Sequence, residues 1–212
     1  MDTCVALVQA YLQLNGYFTV VEYPVIEASG HGHARALTDI DILAVRFPAA
    51  SHDVVSGAAH QHLGRGYPDP ALACPTDRPD MIVGEVKEGA ARFNHAMRDP
   101  VVLGVALARF GCCSADNATD VAQDLLTRGH AETHGGHQVR MIAFGDAPEV
   151  RNRGGHTIAM RHVVSYLQHY LRDHWEILRH SQIKDPVFAT LALIEKWGLG
   201  PSQHVRRKQR GR

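Results

Sequence analysis

Ala36–Phe47 reads ALTDIDILAVRF and Met81–Lys87 reads MIVGEVK. The first is an apolar run carrying Asp39 and Asp41 at alternate positions, and the second is a short apolar run that turns polar at Glu85 and Lys87. Both have the composition and length of β-strands. Successive side chains of a strand point to opposite faces, so Glu85 and Lys87 share one face and Asp39 and Asp41 share another. If the two strands are neighbours, two carboxylates and an ammonium gather at one end of a sheet, although about forty residues separate them in the chain.

On the N-terminal side, Val5, Leu7, Val8, Tyr11, Leu12 and Leu14 recur at mostly helical spacing, and Asn15-Gly16 supplies a stop. A first helix is expected over Thr3–Leu14. The run FTVVEYPVI then predicts a strand over Tyr17–Ile26, placed at an edge because Pro24 cannot donate to a ladder. The glycines and histidines of Ser29-Gly30-His31-Gly32-His33 mark the turn into the Asp41 strand. Residues 48–79 collect proline, glycine, histidine and alanine without sustained periodicity, and are expected as a long flexible insertion with room for one short helix.

Beyond Lys87, helices are expected at Ala90–Met97, Val101–Phe110 and Thr119–Gly129, and a strand at Gln138–Phe144. Two C-terminal helices follow, at about Thr157–Arg179 and Pro186–Trp197, the second capped by Asp185 and started by a proline. The expected order is helix, three strands, helices, strand, with helices flanking a mixed sheet. Residues 1–200 are read as one domain and 201–212 as a basic tail.

Asp41 and Glu85 offer hard oxygen ligands for magnesium or manganese, and Lys87 offers a cation for charge developing on a phosphoryl group. On these residues, TDIDILA at Thr38–Ala44 and IVGEVK at Ile82–Lys87, the chain resembles the PD-(D/E)xK nuclease superfamily, and within it the branch of archaeal Holliday-junction resolvases and restriction-like endonucleases. The resemblance implies a restriction-endonuclease-like αβββαβ core. It implies Asp41 and Glu85 as metal ligands, Lys87 as the catalytic lysine, and magnesium-dependent hydrolysis of phosphodiester bonds, with manganese able to substitute and DNA favoured over RNA as substrate. Many members act as homodimers to cut both strands, although no interface is readable here. The likeness covers Asp2–Asn94 and the strand near Met141. The first helix carries Gln9 where some relatives place an acid, and no Gln-x-x-x-Tyr motif follows Lys87, which sets the chain apart from the RecB-like branch. The literal Pro79-Asp80 pair is not read as the motif's namesake, because Asp80 opens the strand that Glu85 closes. Asp39 is a secondary candidate for the metal, set against a strand-end acid facing water.

Composition narrows the alternatives. Apolar residues make up 45% and charged residues 21%, which is outside the regime of disordered chains. The longest apolar stretch, Val101–Cys113, is interrupted by Arg109 and is too short for a membrane span, so a cytoplasmic protein is expected. Cys4, Cys74, Cys112 and Cys113 are irregularly spaced and suit reduced thiols. Five of the 22 basic residues, Arg206, Arg207, Lys208, Arg210 and Arg212, sit in the last stretch with none of the 22 acids. That tail suits nucleic-acid phosphates, as do Arg151 and Arg153, and it suits a solubilising extension equally well. Two rivals remain: a non-catalytic nuclease-fold protein that binds nucleic acid or a partner within a defence or repair assembly, and a zinc-stabilised module built on His31, His33, His60 and His62 near Cys74. The histidines lack the paired spacing of compact zinc sites.

Overall fold

The computed structural model describes residues 2–29, 33–50, 54–55, 62–63, 68–146, 155–179 and 183–199. Helix α1 (Thr3–Leu14) begins where the Asp2 carboxylate accepts from the backbone N–H groups of Cys4 (2.7 Å) and Val5 (3.4 Å). It ends at Asn15, followed by Gly16 at φ +84°, a conformation that glycine adopts without a Cβ penalty. Strands β1 (Phe18–Ser29) and β2 (His33–Arg46) form a long antiparallel hairpin. Two two-residue strands, β3 (Val54–Val55) and β4 (His62–Leu63), pair with each other apart from the main sheet.

Strand β5 (Asp80–Val86) pairs antiparallel with β2 in the register Ile42↔Gly84 through Arg46↔Asp80. The two strands that carry Asp41 and Glu85 are therefore neighbours. Helices α2 (Pro100–Phe110) and α3 (Ala115–Arg128) carry the chain over one face, through the short β6 (His130–Glu132), to β7 (Gln138–Gly145), which lies parallel to β5. After β8 (His156–Ala159) come α4 (Met160–Asp173), α5 (Trp175–Leu178) and α6 (Pro186–Lys196). The sheet order is β1-β2-β5-β7-β6, with β8 also on β7, so the sheet is mixed.

Two apolar cores lie on opposite sides of the sheet. Leu43, Met81, Val83 and Met141 pack against Leu103, Leu107, Val121 and Leu125 of α2 and α3. Ile42, Ile82, Ile142 and Phe144 pack against Val8 and Leu12 of α1, Val163 and Leu167 of α4, and Phe188 of α6. This arrangement is a mixed sheet flanked by helices on both faces, with β5 and β7, its central strands, buried along their length.

Three expectations need correction. Ala90–Met97 is not a helix: only Ala96–Arg98 forms a 3-10 turn. Ala91 and Phe93 are buried two residues apart, with Phe93 set against Gly155, so that stretch is extended along the edge of the core. The helix expected from Thr157 starts at Met160 instead, because His156–Ala159 pairs in parallel with Ile142–Gly145 and buries Ile158. The third concerns residues 68–79, which do not float. Asp69 starts a 3-10 turn at Pro70–Leu72, and both Asp69 and Leu72 are buried. Tyr11, His162 and the backbone N–H of Ala71 all bond the Asp69 carboxylate, at 2.8, 2.6 and 2.9 Å. The basic tail, Arg151 and Arg153, and the histidines at 31 and 60 lie outside the described residues, as do the side chains of His33 and His62. Among the described residues no helix is long and apolar enough to cross a membrane.

Candidate active site

The end of the β2–β5 ladder brings the three sequence-derived residues together. Register Ile42↔Gly84 makes Asp41 and Glu85 the next opposed positions. Beyond that rung the Asp41 carboxylate takes over a donor of the neighbouring strand: its Oδ2 accepts the backbone N–H of Val86 at 2.7 Å. Lys87 follows directly, its own N–H donating to Phe144 O at 2.9 Å, which ties the residue to the end of β7. Lys87 Nζ lies 4.0 Å from Asp41 Oδ2 and abuts Glu85 Oε1.

Small residues make this convergence fit. A Cβ on Gly84 would run into the Ile42 side chain across the ladder, and one on Gly145 would lie 2.6 Å from both Ala91 N and Gly89 O. The missing side chain at Gly145 lets the segment after Lys87 fold back onto β7, where Asp146 N–H donates to Gly89 O at 2.7 Å.

Burial and charge set the chemistry. Glu85 is fully buried, Asp41 is 22% exposed at its side chain and Lys87 35%. Burial pushes the Glu85 carboxyl up, Lys87 pulls it back down, Asp41 raises it again, and the nearby Asn94 amide lowers it; the net direction is up. The Lys87 ammonium at Oε1 and the Asn94 amide are the hydrogen-bonding neighbours of this carboxylate. Asp41 is also raised, first by burial and then by the charges of Asp2 and Glu22, against the opposing pull of the Val86 N–H and Lys87. Two carboxylates with raised pKa values that share one ammonium form a place where added positive charge lowers the free energy.

Those donors fit magnesium, which takes one or two protein carboxylates and fills the rest of its shell with water and phosphate oxygens. Among the described residues no group of three or more His, Cys, Asp or Glu side chains converges to hold a metal, so the side-chain ligands these residues would offer are Asp41 and Glu85. Asp39 is exposed opposite Pro24 and stands apart from the cluster. Regular alternation would have placed it with Asp41, but Ile40 packs into one core and Ile42 into the other, so the alternation breaks at Asp41. Asp80 behaves as expected from its place on β5: it lies at the far end of the strand, buried, held by Arg140 and by the Tyr17 hydroxyl.

One further acid lies beside the cluster. Glu22 sits opposite Asp41 in the hairpin, between the pairs Val21↔Ile42 and Tyr23↔Ile40, and its φ is +50°, a region rarely entered by a residue of this type. Its only signal in the sequence is an acid in an otherwise apolar edge strand. Beside the cluster, Cys4, Glu88, Asp146, Met160 and Arg161 line an open cleft of about 470 Å³. Arg161 Nη2 donates to Asp146 O at 3.2 Å, which places one fixed cation on an otherwise acidic rim. No protein-family model, no curated protein and no solved structure matches the chain.

Proposed function

We propose that the chain is a metal-dependent nuclease with a restriction-endonuclease-like core, hydrolysing phosphodiester bonds, of DNA in preference to RNA, at Asp41, Glu85 and Lys87. The observation that carries this reading is Glu85: a fully buried carboxylate whose Oε1 abuts the Lys87 ammonium, an ammonium it shares with the Asp41 carboxylate. One ammonium serves two carboxylates there, and a bound cation would offset the remaining cost of burying them. The order helix, antiparallel hairpin, third strand, helices and parallel fourth strand supports the same core.

In this reading Asp41 and Glu85 hold the ion, and the Val86 N–H fixes the Asp41 carboxylate in position. Bound magnesium would polarise a phosphoryl oxygen and acidify a water. Lys87, anchored to β7 through its backbone, presents its ammonium where negative charge develops on the phosphate as water adds and the leaving oxygen departs. The residues after Lys87 are held by the Gly89–Asp146 bond, so the ammonium moves on a short, fixed tether.

A second reading draws on one specific observation. Lys87 already abuts Glu85, and among the described residues no third acid or imidazole converges with Asp41 and Glu85 as a metal-holding group. That charge balance also suits a non-catalytic nuclease-fold protein that binds nucleic acid or a partner. Incubating the full chain with labelled linear, circular and branched DNA and RNA, in magnesium, manganese or chelator, separates the two. Cutting that requires the metal supports the nuclease. Retention of nucleic acid without cutting, and without metal binding, supports the second reading.

A further inference from the structure

The β1–β2 hairpin changes face at a single rung. On β1, Val21 packs with the core under α1 and α4, while Tyr23 and Val25 pack with the opposite core; on β2, Ile42 and Ile40 divide in the same way. Residues two apart on a regular strand share a face. Both strands therefore switch at the pair Glu22 and Asp41, and the switch coincides with the φ of +50° at Glu22. Glycine, asparagine or aspartate would take that conformation more readily.

We propose that Glu22 is a positioning residue for the cation held by Asp41 and Glu85: its carboxylate supplies long-range negative charge to the ion, and its left-handed backbone turns Asp41 toward β5. The inference rests on the reading of Asp41 and Glu85 as the cation site. The Asp2 backbone N–H donates to Glu22 Oε1 at 3.0 Å, so the start of α1 holds the carboxylate on the same side of the hairpin as the cluster. The negative charge of Glu22 is also felt at Asp41, among the groups that raise its carboxyl.

Calorimetric titration of the full chain with manganese, beside thermal melts in chelator, tests this. Glu22→Gln keeps the shape and the acceptor for Asp2 but removes the charge. It is expected to bind manganese about fourfold more weakly than the wild type, the scale of one unit charge acting on a divalent ion across roughly a nanometre of water-like dielectric, with the fold retained in the melts. Glu22→Asp, which keeps the charge and tolerates positive φ, is expected to bind closer to the wild type. Equal affinity of wild type and Glu22→Gln would overturn the inference and leave the Asp41–Glu85 site standing. Failure of the wild type itself to bind manganese would remove that site and this inference with it.

Discussion

Replacing Asp80 by alanine should destabilise the protein severely while leaving the reaction chemistry in place. Asp80 is fully buried at the start of β5 and accepts from Arg140 Nε at 2.8 Å, Arg140 Nη2 at 2.5 Å and the Tyr17 hydroxyl at 2.5 Å. Arg140 Nη1 also donates to Leu72 O at 2.6 Å, so the guanidinium clamps the 68–79 segment onto β5 and β7. Removing the carboxylate leaves the buried guanidinium unpaired, with the Leu72 carbonyl and, at 3.4 Å, the Tyr17 hydroxyl as its acceptors. Breaking one side of a buried pair costs about 3–5 kcal/mol. For a chain of 212 residues the entropy of unfolding is about 0.45 kcal/mol/K, so Tm should fall by about 7–11 °C. Urea unfolding followed by circular dichroism, with a calorimetric scan in chelator, measures both quantities. The double variant Asp80→Leu with Arg140→Met should recover most of the loss, because apolar residues of similar volume can replace a buried pair at little cost. A loss below about 1 kcal/mol, or a double variant no more stable than the single, would refute the clamp.

Lys87→Ala should lower cleavage by about 10²–10³-fold, the effect of losing one donor to a developing anion, with the far-UV spectrum unchanged; a loss under tenfold would remove Lys87 from the chemistry. Gly145→Ala places a methyl group 2.6 Å from Ala91 N and Gly89 O, and should cost about 1–3 kcal/mol in urea unfolding and reduce cleavage by shifting the segment after Lys87. Asp69 is the basis for a pH dependence. Burial opposes its charge, but the Ala71 N–H, His162 and Tyr11 together hold its carboxyl below the ordinary range. A depressed folded-state pKa contributes stability above the unfolded value, about 3.9, that is lost as pH falls through the folded value. The acid limb of Tm against pH should therefore be shallower in Asp69→Asn than in the wild type, and equal limbs would contradict the assignment.

Local chemistry made much of this legible in the sequence. Thr3–Leu14 carries its helical period and its Asn-Gly stop, and the helix spans those residues. Asp185 caps Pro186–Lys196, accepting from Phe188 N at 2.7 Å. The Asp41, Glu85 and Lys87 cluster was legible because two apolar strands carried acids and a lysine at strand spacing.

What stayed hidden depends on contacts between distant residues. Nothing near Asp69 in a proline- and glycine-rich stretch signals that Tyr11 and His162, 58 and 93 positions away, complete its hydrogen bonds. His156–Ala159 runs into α4 without a turn residue, and only the parallel edge of β7 makes it a strand. Ala91 and Phe93 looked like part of a helix because their extended course is dictated by Gly145 and Gly155, more than fifty residues away. The face switch at Glu22 and Asp41 is a property of the paired strands, so periodicity in either strand alone does not reveal it.

The most direct test of the central claim is cleavage of a single labelled DNA substrate by the wild type and by Glu85→Ala in magnesium, with both proteins shown to be folded by their melts. The wild type is expected to cut, with chelator abolishing the cutting, and Glu85→Ala to cut none. Cutting by Glu85→Ala at the wild-type rate would place the chemistry elsewhere in the molecule.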